Sequence, residues 1–139
     1  MDKILETEVK ILEAPFATVY YIKEKSLGKI VWHGVPSSED YKKPFLALID
    51  LAKKGTSVTR FLSDIRNQGV VSPDSRKWFE KEMVPAAVEN GLKRAAVVSG
   101  SNAFKMYYIN IILSTVNKFN LPFKIFNDES KAIEFLMQQ

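Results

Sequence analysis

An alternation of short apolar segments and longer amphipathic ones constrains this chain more than any other feature of its sequence. Residues 29–32, 58–64, 95–98 and 123–126 have the composition of strands, and each precedes a stretch whose apolar residues recur at helical spacing. The segment 95–98 is continuously apolar, as in a strand covered on both faces. The three strand–helix repeats from residue 58 onward, which follow the N-terminal strands, predict a parallel sheet with right-handed crossovers.

The start of the chain follows a different pattern. Two extended segments, 4–12 and 18–22, are separated by Ala14-Pro15, and a turn at 25–28 leads into the strand at 29–32. Short connections of this kind join antiparallel strands. The sequence therefore predicts an α/β fold in which N-terminal antiparallel strands lead into a mostly parallel sheet with about four helices.

Capping residues mark the predicted helix starts. Ser37-Ser38-Glu39-Asp40 is the first predicted helix start, because a serine hydroxyl can accept from free N–H groups and the acidic residues favour the positive end of a helix. Ser72 precedes a proline at the first helical position, where a missing N–H costs no hydrogen bond. We expect this second helix to end near Gly91, and we expect Pro85 to kink or shorten it.

The length and composition are those of one globular domain. The chain has 139 residues, of which 46% are hydrophobic and 26% are charged, and it shows no internal repeat, low-complexity segment or linker. A chain of this size can bury a core without disulfides or metals. We expect a single domain over residues 1–139.

The same composition disfavours several classes of protein. Cysteine is absent, which excludes disulfides and thiolate metal sites and fits a reducing compartment. The first residues do not resemble a secretion signal, and the longest apolar-rich stretch, 106–116, is far shorter than the roughly 20 residues that cross a bilayer. The net charge of +4 is scattered rather than gathered in a stripe. We expect a cytoplasmic protein without membrane insertion or nucleic-acid binding.

Polar residues follow the predicted parallel strands. In open parallel sheets, ligands bind outside the carboxyl ends of the strands. Here those ends supply a rim of polar side chains, although each residue type also suits a turn or a cap. The candidate residues for binding a partner or ligand are His33, Asp64, Arg66, Asn67, Ser72, Ser75, Ser99 and Asn102.

These residues do not form the pattern of a catalytic centre or a metal site. His33 is the sole histidine, and its position beside a tryptophan suits a packed or hydrogen-bonded residue better than a base. Asp64 and Arg66 can form a structural ion pair, an acid–base pair or an anion site. The segment 99–102 can cap a helix or cradle an anion, but it lacks the spacing of a phosphate loop or a dinucleotide fingerprint. We expect a protein that is not an enzyme and has no cofactor.

The third predicted helix, which ends near Asn120, has an unusually wide apolar face. On a helical wheel its apolar residues fill an arc of about 160°, whereas a helix packed on one sheet needs only about 100°. The residues in this arc are Met106, Tyr108, Ile109, Ile112, Leu113, Val116 and Phe119. Three interpretations stay open: deep burial, a homodimer surface, or a groove for an apolar ligand.

A set of segments in a particular order carries a family resemblance. They are Gly-Lys-Ile-Val-Trp-His-Gly at 28–34, Phe-Leu-Ser-Asp at 61–64 with Gly69 after it, Trp78 after Ser72-Pro73, Ala-Ala-Val-Val at 95–98, and Lys-Ala-Ile-Glu-Phe-Leu at 131–136. In these segments the chain resembles the STAS superfamily, in its SpoIIAA-like branch, over residues 4 to about 136. It resembles especially the small stand-alone proteins described as STAS/SEC14-like.

The resemblance implies a protein-binding regulatory module. In the sigma-factor antagonists of this family, a serine in the pattern Asp-Ser-Ser-Gly-Leu is phosphorylated at the start of the helix after the second parallel strand. If Asp64 is the strand aspartate of the family, this pattern falls on residues 72–76, and Pro73 holds the acceptor position. In that case this chain lacks the phosphoserine switch of the family. Ser72 and Ser75 flank the proline, and Ser72 suits a helix cap with or without a phosphate.

Three hypotheses follow from the sequence. The first is a non-enzymatic binding or regulatory module that acts through protein contact, centred on residues 66–71 and the helix that starts at Ser72. The second is a carrier of a small apolar ligand or lipid, as the SEC14-like resemblance implies. The third is an enzyme that uses Asp64, Arg66 and His33.

Overall fold

A six-stranded sheet organises the chain, whose computed structural model describes residues 8–100, 110 and 113–138. The strands are β1 (Glu8–Ala14), β2 (Ala17–Ile22), β3 (Leu27–Trp32), β4 (Arg60–Asp64), β5 (Arg94–Val98) and β6 (Phe123–Phe126). They lie side by side in chain order. β1, β2 and β3 pair antiparallel, and β3 to β6 pair parallel. The predicted passage from antiparallel strands to a parallel sheet is confirmed.

Helical segments connect the parallel strands, and a last helix follows β6. They are α1 (Ser38–Lys53), α2 (Pro73–Trp78), a π-helical stretch (Phe79–Met83), α3 (Val84–Glu89), α4 (residues 113–117) and α5 (Glu129–Leu136). From α2 to α3 the helix is continuous, so the described residues contain four helical segments of this kind, as predicted. Residues 101–109 and 111–112, which belong to the third predicted helix, lie outside the described part of the chain.

Side-chain caps begin the helices where the sequence predicts them. The hydroxyl of Ser37 accepts a hydrogen bond from a backbone N–H at the start of α1, at 3.1 Å. Ser72 does the same for α2 at 3.1 Å, and Asp128 for α5 at 2.7 Å. Each cap satisfies an N–H group that has no partner within the helix. The predicted helix starts at Ser37 and Ser72 are confirmed, and Asp128 caps α5 in the same way.

Pro85 is accommodated by a local widening of the helix. The N–H of Val84 donates to the carbonyl of Phe79, five residues back, which is the π-helical spacing. Because proline has no N–H and crowds the preceding turn, the backbone before it cannot keep regular α spacing. The helix nevertheless continues to Glu89, and Gly91 follows with φ 108°. The predicted helix end is confirmed, and the structure shows how the proline is tolerated.

Strand boundaries differ from prediction by a few residues. β3 begins at Leu27, within the predicted turn, because residues 23–25 form a 3-10 turn that closes at Ser26 with φ 49°. β1 continues to Ala14, since the hairpin turn contains only residues 15–16. Cross-strand pairing, which extends a strand beyond its own local preference, accounts for both differences. Residues 4–7 of the first predicted strand lie outside the described range.

One face of the sheet carries an aromatic core beneath α1 and the α2–α3 segment. Trp32 of β3 stacks on Tyr41 with ring centroids 5.1 Å apart, and Phe45 lies 5.5 Å from Trp32. Trp78 and Phe79 pack onto Phe45 at 5.8 and 5.5 Å. Val116 of α4 belongs to the same cluster. This cluster fixes α1 and α2 relative to each other and to β3.

The opposite face is covered by α5. Ala132 and Leu136 of α5 are fully buried against Leu62 of β4 and against Ala96 and Val98 of β5. The four residues 95–98 are therefore packed on both sides of the sheet, each with 5% exposure or less. The prediction that this segment is a strand covered on both faces is confirmed.

Candidate functional site

Two loops at the carboxyl end of the parallel strands are joined through their backbones. The N–H of Gly34, after β3, donates to the carbonyl of Asn67, after β4, at 2.8 Å. The N–H of Gly69 donates back to the carbonyl of Gly34 at 2.7 Å, and Gly34 pairs with Gln68 as a parallel bridge. The sheet pairing is thus carried beyond the strands into the loops. We call this end of the parallel strands, with its two joined loops, the carboxyl edge.

Two exposed valines lie on the joined loops. Val35 is 69% exposed and Val70 is 65% exposed, more than any other large apolar side chain in the described part of the chain. A Cβ at Gly69 would overlap Cγ2 of Val35, so the side chain of Val35 lies directly against Gly69, the residue that precedes Val70 in the chain. We call Val35 and Val70 the valine patch. The exposed residues His33, Arg66 and Asn67 lie in the same two loops.

The valine patch was not identified from the sequence. Valine is typical of buried strands, and nothing in the order of residues separates these two from core valines such as Val71. The signal that existed was positional, since each valine follows a glycine in a loop rather than lying within a strand. Val35 and Val70 are exposed because of the conformation that the backbone pairing gives the two loops.

Asp64 and Arg66 form a close ion pair beside this edge. Nε and Nη2 of Arg66 donate to the two carboxylate oxygens of Asp64 at 3.0 and 2.7 Å, and the backbone N–H of Arg66 donates to Oδ1 at 3.1 Å. The Asp64 side chain is 8% exposed and the Arg66 side chain is 44% exposed. The buried carboxylate is thereby satisfied at both oxygens, as the structural interpretation of this pair requires.

This pairing makes Asp64 a poor general base. Burial by itself would raise the pKa of Asp64, but the hydrogen bonds and charge of Arg66 outweigh burial and hold the pKa below its ordinary value. A base acting near neutral pH needs a pKa close to that pH. The geometry therefore supports the ion-pair interpretation of Asp64 and Arg66 over the acid–base one.

The predicted site residues divide between the two faces of the sheet. Ser63 accepts a hydrogen bond from Nε1 of Trp32 at 3.1 Å, so it faces α1. Successive strand residues point to opposite faces, so Asp64 faces α5. Ser72 lies on the α1 side, where its hydroxyl is 3.2 Å from that of Ser38. The Asp64–Arg66 pair and the Ser72 region are therefore separate features rather than one site.

Three serine hydroxyls meet where α1 and α2 begin. Ser72 donates to Oγ of Ser75 at 3.0 Å and lies 3.2 Å from Oγ of Ser38. Ser75 is 2% exposed, which closes its hydroxyl to a modifying enzyme in this conformation, whereas Ser72 is half-buried. Of the two serines that flank Pro73, Ser72 is the more accessible.

The remaining candidate residues are dispersed. The side chain of His33 is exposed rather than packed beside Trp32, because neighbouring residues at the end of β3 point in different directions. The packed interpretation of His33 is therefore wrong. Ser99 is 5% exposed and donates to the carbonyl of Gly100 at 3.0 Å, so it is buried and does not belong to the exposed polar rim. Asn102 lies outside the described residues.

The described residues line two small cavities in the core beneath the helices. Described residues line a cavity of about 30 Å³ between the sheet and the helices, and another of about 40 Å³ lies under α1 and α3. Pockets for small molecules usually measure about 300–1,000 Å³. The buried Gln68 and Ser63 contribute polar atoms to the first cavity. A space of this size accommodates about one water molecule.

The wide apolar face of the third predicted helix is only partly described. Val116 is 3% exposed and packs in the core, Leu113 is half-buried, and Phe119 is 38% exposed. Met106, Tyr108, Ile109 and Ile112 lie outside the described residues. Of the three described residues of this face, Val116 is buried, Leu113 is half-buried and Phe119 is exposed, so burial is shown for part of the face only. The homodimer stays a prediction.

A buried lysine on the α5 face was not identified from the sequence. Lys29 of β3 is 7% exposed, and its Nζ lies 3.0 Å from a carboxylate oxygen of Glu8 and 3.3 Å from one of Glu129. It also lies 4.9 Å from the ring centre of Tyr20. Burial would lower the pKa of Lys29, but the two glutamates outweigh burial and raise it. This lysine links β1 and α5 to the middle of the sheet.

Two further features are absent from the described residues. Over 8–100, 110 and 113–138, no group of three or more potential metal-binding side chains is found. In the same part of the chain, no helix is both long enough and apolar enough to cross a membrane.

Comparison with known proteins shows the fold. No protein-family model matches the sequence, and no curated protein is significantly similar to it. The structure is similar to that of an uncharacterised DUF3478-family protein with a SpoIIAA-like fold from Shewanella loihica, with a TM-score of 0.55, 19% identity, and 98% of each chain covered. It is also similar to the anti-sigma factor antagonist SpoIIAA in its unphosphorylated form, with a TM-score of 0.58 and 11% identity over 85% of this chain and 94% of that one. The chain has a STAS/SpoIIAA-like fold, as predicted.

Proposed function

We propose that this protein is a non-enzymatic binding or regulatory module that contacts a protein partner through its carboxyl edge. The observation that carries the proposal is the valine patch, Val35 and Val70, held outward on two hydrogen-bonded loops. The contact surface would extend from residues 66–71 to the start of α2 at Ser72. It would function without the phosphoserine switch of the sigma-factor antagonists, because the resemblance implies that Pro73 holds the acceptor position if Asp64 is the strand aspartate of the family.

The composition of this surface supports protein contact. A protein interface usually has an apolar centre and a polar rim, and the valine patch is accompanied by the exposed Arg66 and Asn67. Single exposed apolar side chains are common on protein surfaces, whereas contiguous exposed apolar patches often mark a contact site. The backbone pairing of the two loops holds the valines in place, so little conformational freedom is lost when a partner binds. The likeness of the fold to SpoIIAA, an anti-sigma factor antagonist, is consistent with a regulatory role.

The alternatives have less support from the same geometry. The carrier of an apolar ligand would need a far larger space than the cavities of about 30 and 40 Å³ that described residues line. The enzyme hypothesis would need Asp64 to exchange a proton, yet both of its oxygens are occupied by Arg66. The proposal includes a single cytoplasmic domain over residues 1–139 that does not bind nucleic acid.

The test is a comparison of matched variants in affinity capture. Immobilised wild-type protein, a Val35→Asp/Val70→Asp variant and a Leu46→Asp variant are each exposed to lysate of the source organism, and retained proteins are quantified. Leu46 is a suitable control because it is 49% exposed and lies on α1 away from the joined loops. We expect one or more proteins to be retained by wild type and Leu46→Asp but lost from Val35→Asp/Val70→Asp.

Two results would contradict the proposal. One is equal retention of all proteins by the three forms, which would show that the valine patch does not take part in binding. The other is the absence of any specific protein together with a lipid that copurifies stoichiometrically in native mass spectrometry. The second result would favour the carrier hypothesis.

A further inference from the structure

A second surface feature lies at the opposite end of the parallel strands. Thr59, Arg60, Lys93, Arg94, Leu136 and Gln138 line a groove of about 350 Å³. Arg60 and Arg94 begin β4 and β5 and are direct partners in the parallel register. The groove therefore opens at the amino end of the sheet, and we call it the basic groove. This location separates it from the carboxyl edge and from the proposed protein contact.

The two arginines are held in position by backbone carbonyls. Arg60 donates through Nε to the carbonyl of Leu136 at 2.8 Å and through Nη1 to that of Lys25 at 2.6 Å. Arg94 donates through Nη1 to the carbonyl of Phe135 at 3.3 Å, and its guanidinium lies 4.7 Å from the centre of the Phe135 ring. A guanidinium has five N–H donors, so each arginine keeps donors beyond these contacts.

The floor of the groove is also tied to the sheet. The N–H groups of Lys93 and Arg94 both donate to the carbonyl of Thr59, at 2.8 and 3.2 Å. The loops before β4 and β5 are thereby held side by side. The side chain of Lys93 is exposed. Three cationic groups are therefore presented from a rigid backbone, which reduces the entropy lost when a ligand binds.

Among the residues that the structure describes, no acidic side chain pairs with the cations of the groove. Within the part of the chain that the structure describes, Arg60, Lys93 and Arg94 form no ion pair with a carboxylate, whereas Lys29, Lys43 and Arg66 each do. Three uncompensated cations around one concave surface attract anions and raise their local concentration. The carbonyls at the end of α5 reduce this charge only partly, since a helix end carries about half a unit charge.

We infer that the basic groove binds the phosphate group of a small phosphorylated metabolite. A phosphate monoester carries close to two negative charges at neutral pH and presents three oxygens, which suits donors from two arginine forks and one lysine. A volume of about 350 Å³ is within the usual range for small-molecule pockets. Thr59 and Gln138 add polar groups that can contact the rest of the ligand.

The inference is tested with ribose 5-phosphate as the probe, by isothermal titration calorimetry and by backbone amide shifts. Inorganic phosphate tests whether the anion alone suffices, and succinate tests whether any dianion suffices. We expect ribose 5-phosphate to bind more tightly than either, with amide shifts centred on residues 59, 60, 93 and 94. Affinity should fall with added salt, because the contact is between charges at the surface.

Variants assign the binding to this groove. Lys93→Gln should weaken binding by about tenfold, the usual effect of losing one charged hydrogen bond. Its melting temperature should not change, since the Lys93 side chain is exposed. Lys77→Gln, an equal loss of charge on the exposed surface of α2, should bind as wild type does. Arg94→Lys, which keeps the charge but removes the paired N–H donors of the guanidinium, should also weaken binding.

Four results would overturn the inference. They are no heat and no amide shifts with ribose 5-phosphate at millimolar concentration, equal affinity for succinate, shifts centred on the carboxyl edge, or equal weakening by Lys77→Gln and Lys93→Gln. None of these results bears on the protein contact proposed above, because the valine patch lies at the other end of the strands.

Discussion

Gly28 lies in β3 directly beneath Leu48 of α1. A Cβ at position 28 would lie 2.8 and 2.9 Å from the two δ carbons of Leu48, which is itself 5% exposed. A distance below about 3.0 Å requires movement, and a buried leucine has little room to move. The absence of a side chain at position 28 therefore sets how closely α1 approaches the sheet.

We predict that Gly28→Ala destabilises the protein by about 1–3 kcal/mol, the usual cost of overpacking a core. Urea unfolding followed by tryptophan fluorescence measures this change. Gly100→Ala is the control, because no atom lies within 4 Å of a Cβ at that position. Equal stability of wild type and Gly28→Ala would show that Leu48 can move aside without cost.

The Asp64–Arg66 pair determines a pH dependence with a definite sign. Because Arg66 lowers the pKa of Asp64 in the folded state, the folded state favours the ionised carboxylate. The resulting stabilisation is fully present above the unfolded pKa, close to the ordinary value of 3.8, and is lost as the pH falls through the lower folded pKa. Stability at neutral pH therefore includes this contribution in full.

We predict that Arg66→Gln destabilises the protein at pH 7 by about 1–3 kcal/mol, because it leaves a buried carboxylate without its main partner. The loss should shrink as the pH falls, because burial without Arg66 raises the pKa of Asp64 in the variant, so its carboxylate is protonated and loses its charge before the paired one does. Urea unfolding at several pH values measures the trend, with Lys77→Gln as the control. A loss that stays constant from pH 7 to pH 2.5 would mean that Arg66 acts through packing instead of charge.

At the scale of elements, the start of α2 has a stronger cap than the start of α1. Ser72 binds the Ser75 N–H and also contacts the hydroxyls of Ser75 and Ser38, and Ser75 is buried. Ser37 is exposed, and its hydroxyl accepts a single N–H at the start of α1. Removing the Ser72 hydroxyl would leave the buried hydroxyl of Ser75 with one partner fewer.

We predict that Ser72→Ala costs about 1–2 kcal/mol, towards the upper end for helix caps. Ser37→Ala should cost less, since water can replace its hydroxyl at an exposed position. Thermal or urea unfolding of the two variants gives the comparison. A smaller loss for Ser72→Ala than for Ser37→Ala would show that the three-serine contact contributes nothing to the stability of α2.

The elements were predictable because their signals are local. The caps at Ser37 and Ser72, the glycine stop at Gly91 and the continuously apolar 95–98 each act within a few residues, so the sequence shows them directly. The boundaries of β1 and β3 were less predictable, because pairing with β2 extends both strands. The π-helical stretch before Pro85 was also missed, since a proline alone indicates strain but not how the backbone relieves it.

At the scale of the whole molecule, the predicted homodimer concerns the apolar face of the third predicted helix. Phe119, at the end of the described part of this face, is 38% exposed. We predict that light scattering at high concentration gives twice the chain mass of 15.8 kDa, and that Phe119→Glu restores the single-chain mass. Leu46→Glu, on the outer surface of α1, is the control. A single-chain mass for the wild type at millimolar concentration would exclude the homodimer.

The two proposed binding regions lie at opposite ends of the same parallel strands. The carboxyl edge presents valines and polar groups on joined loops, and the amino end presents the three cations of the basic groove. From the sequence, only the carboxyl edge was predicted to bind a ligand, because ligands of open parallel sheets usually bind there. The basic residues are scattered along the sequence, since Arg60 and Arg94 are 34 positions apart in the chain and become neighbours only through strand pairing.

The alternation of strands and helices, read from the sequence alone, determined the fold class, the helix starts and the doubly covered strand at 95–98. It could do so because secondary structure follows periodicities of a few residues. Only the tertiary structure decided which residues share a site. Asp64 and Ser72 were grouped by their position after one strand, yet they lie on opposite faces of the sheet. Val35 and Val70 became a surface because two loops pair through their backbones, and such long-range pairing leaves no pattern in neighbouring residues.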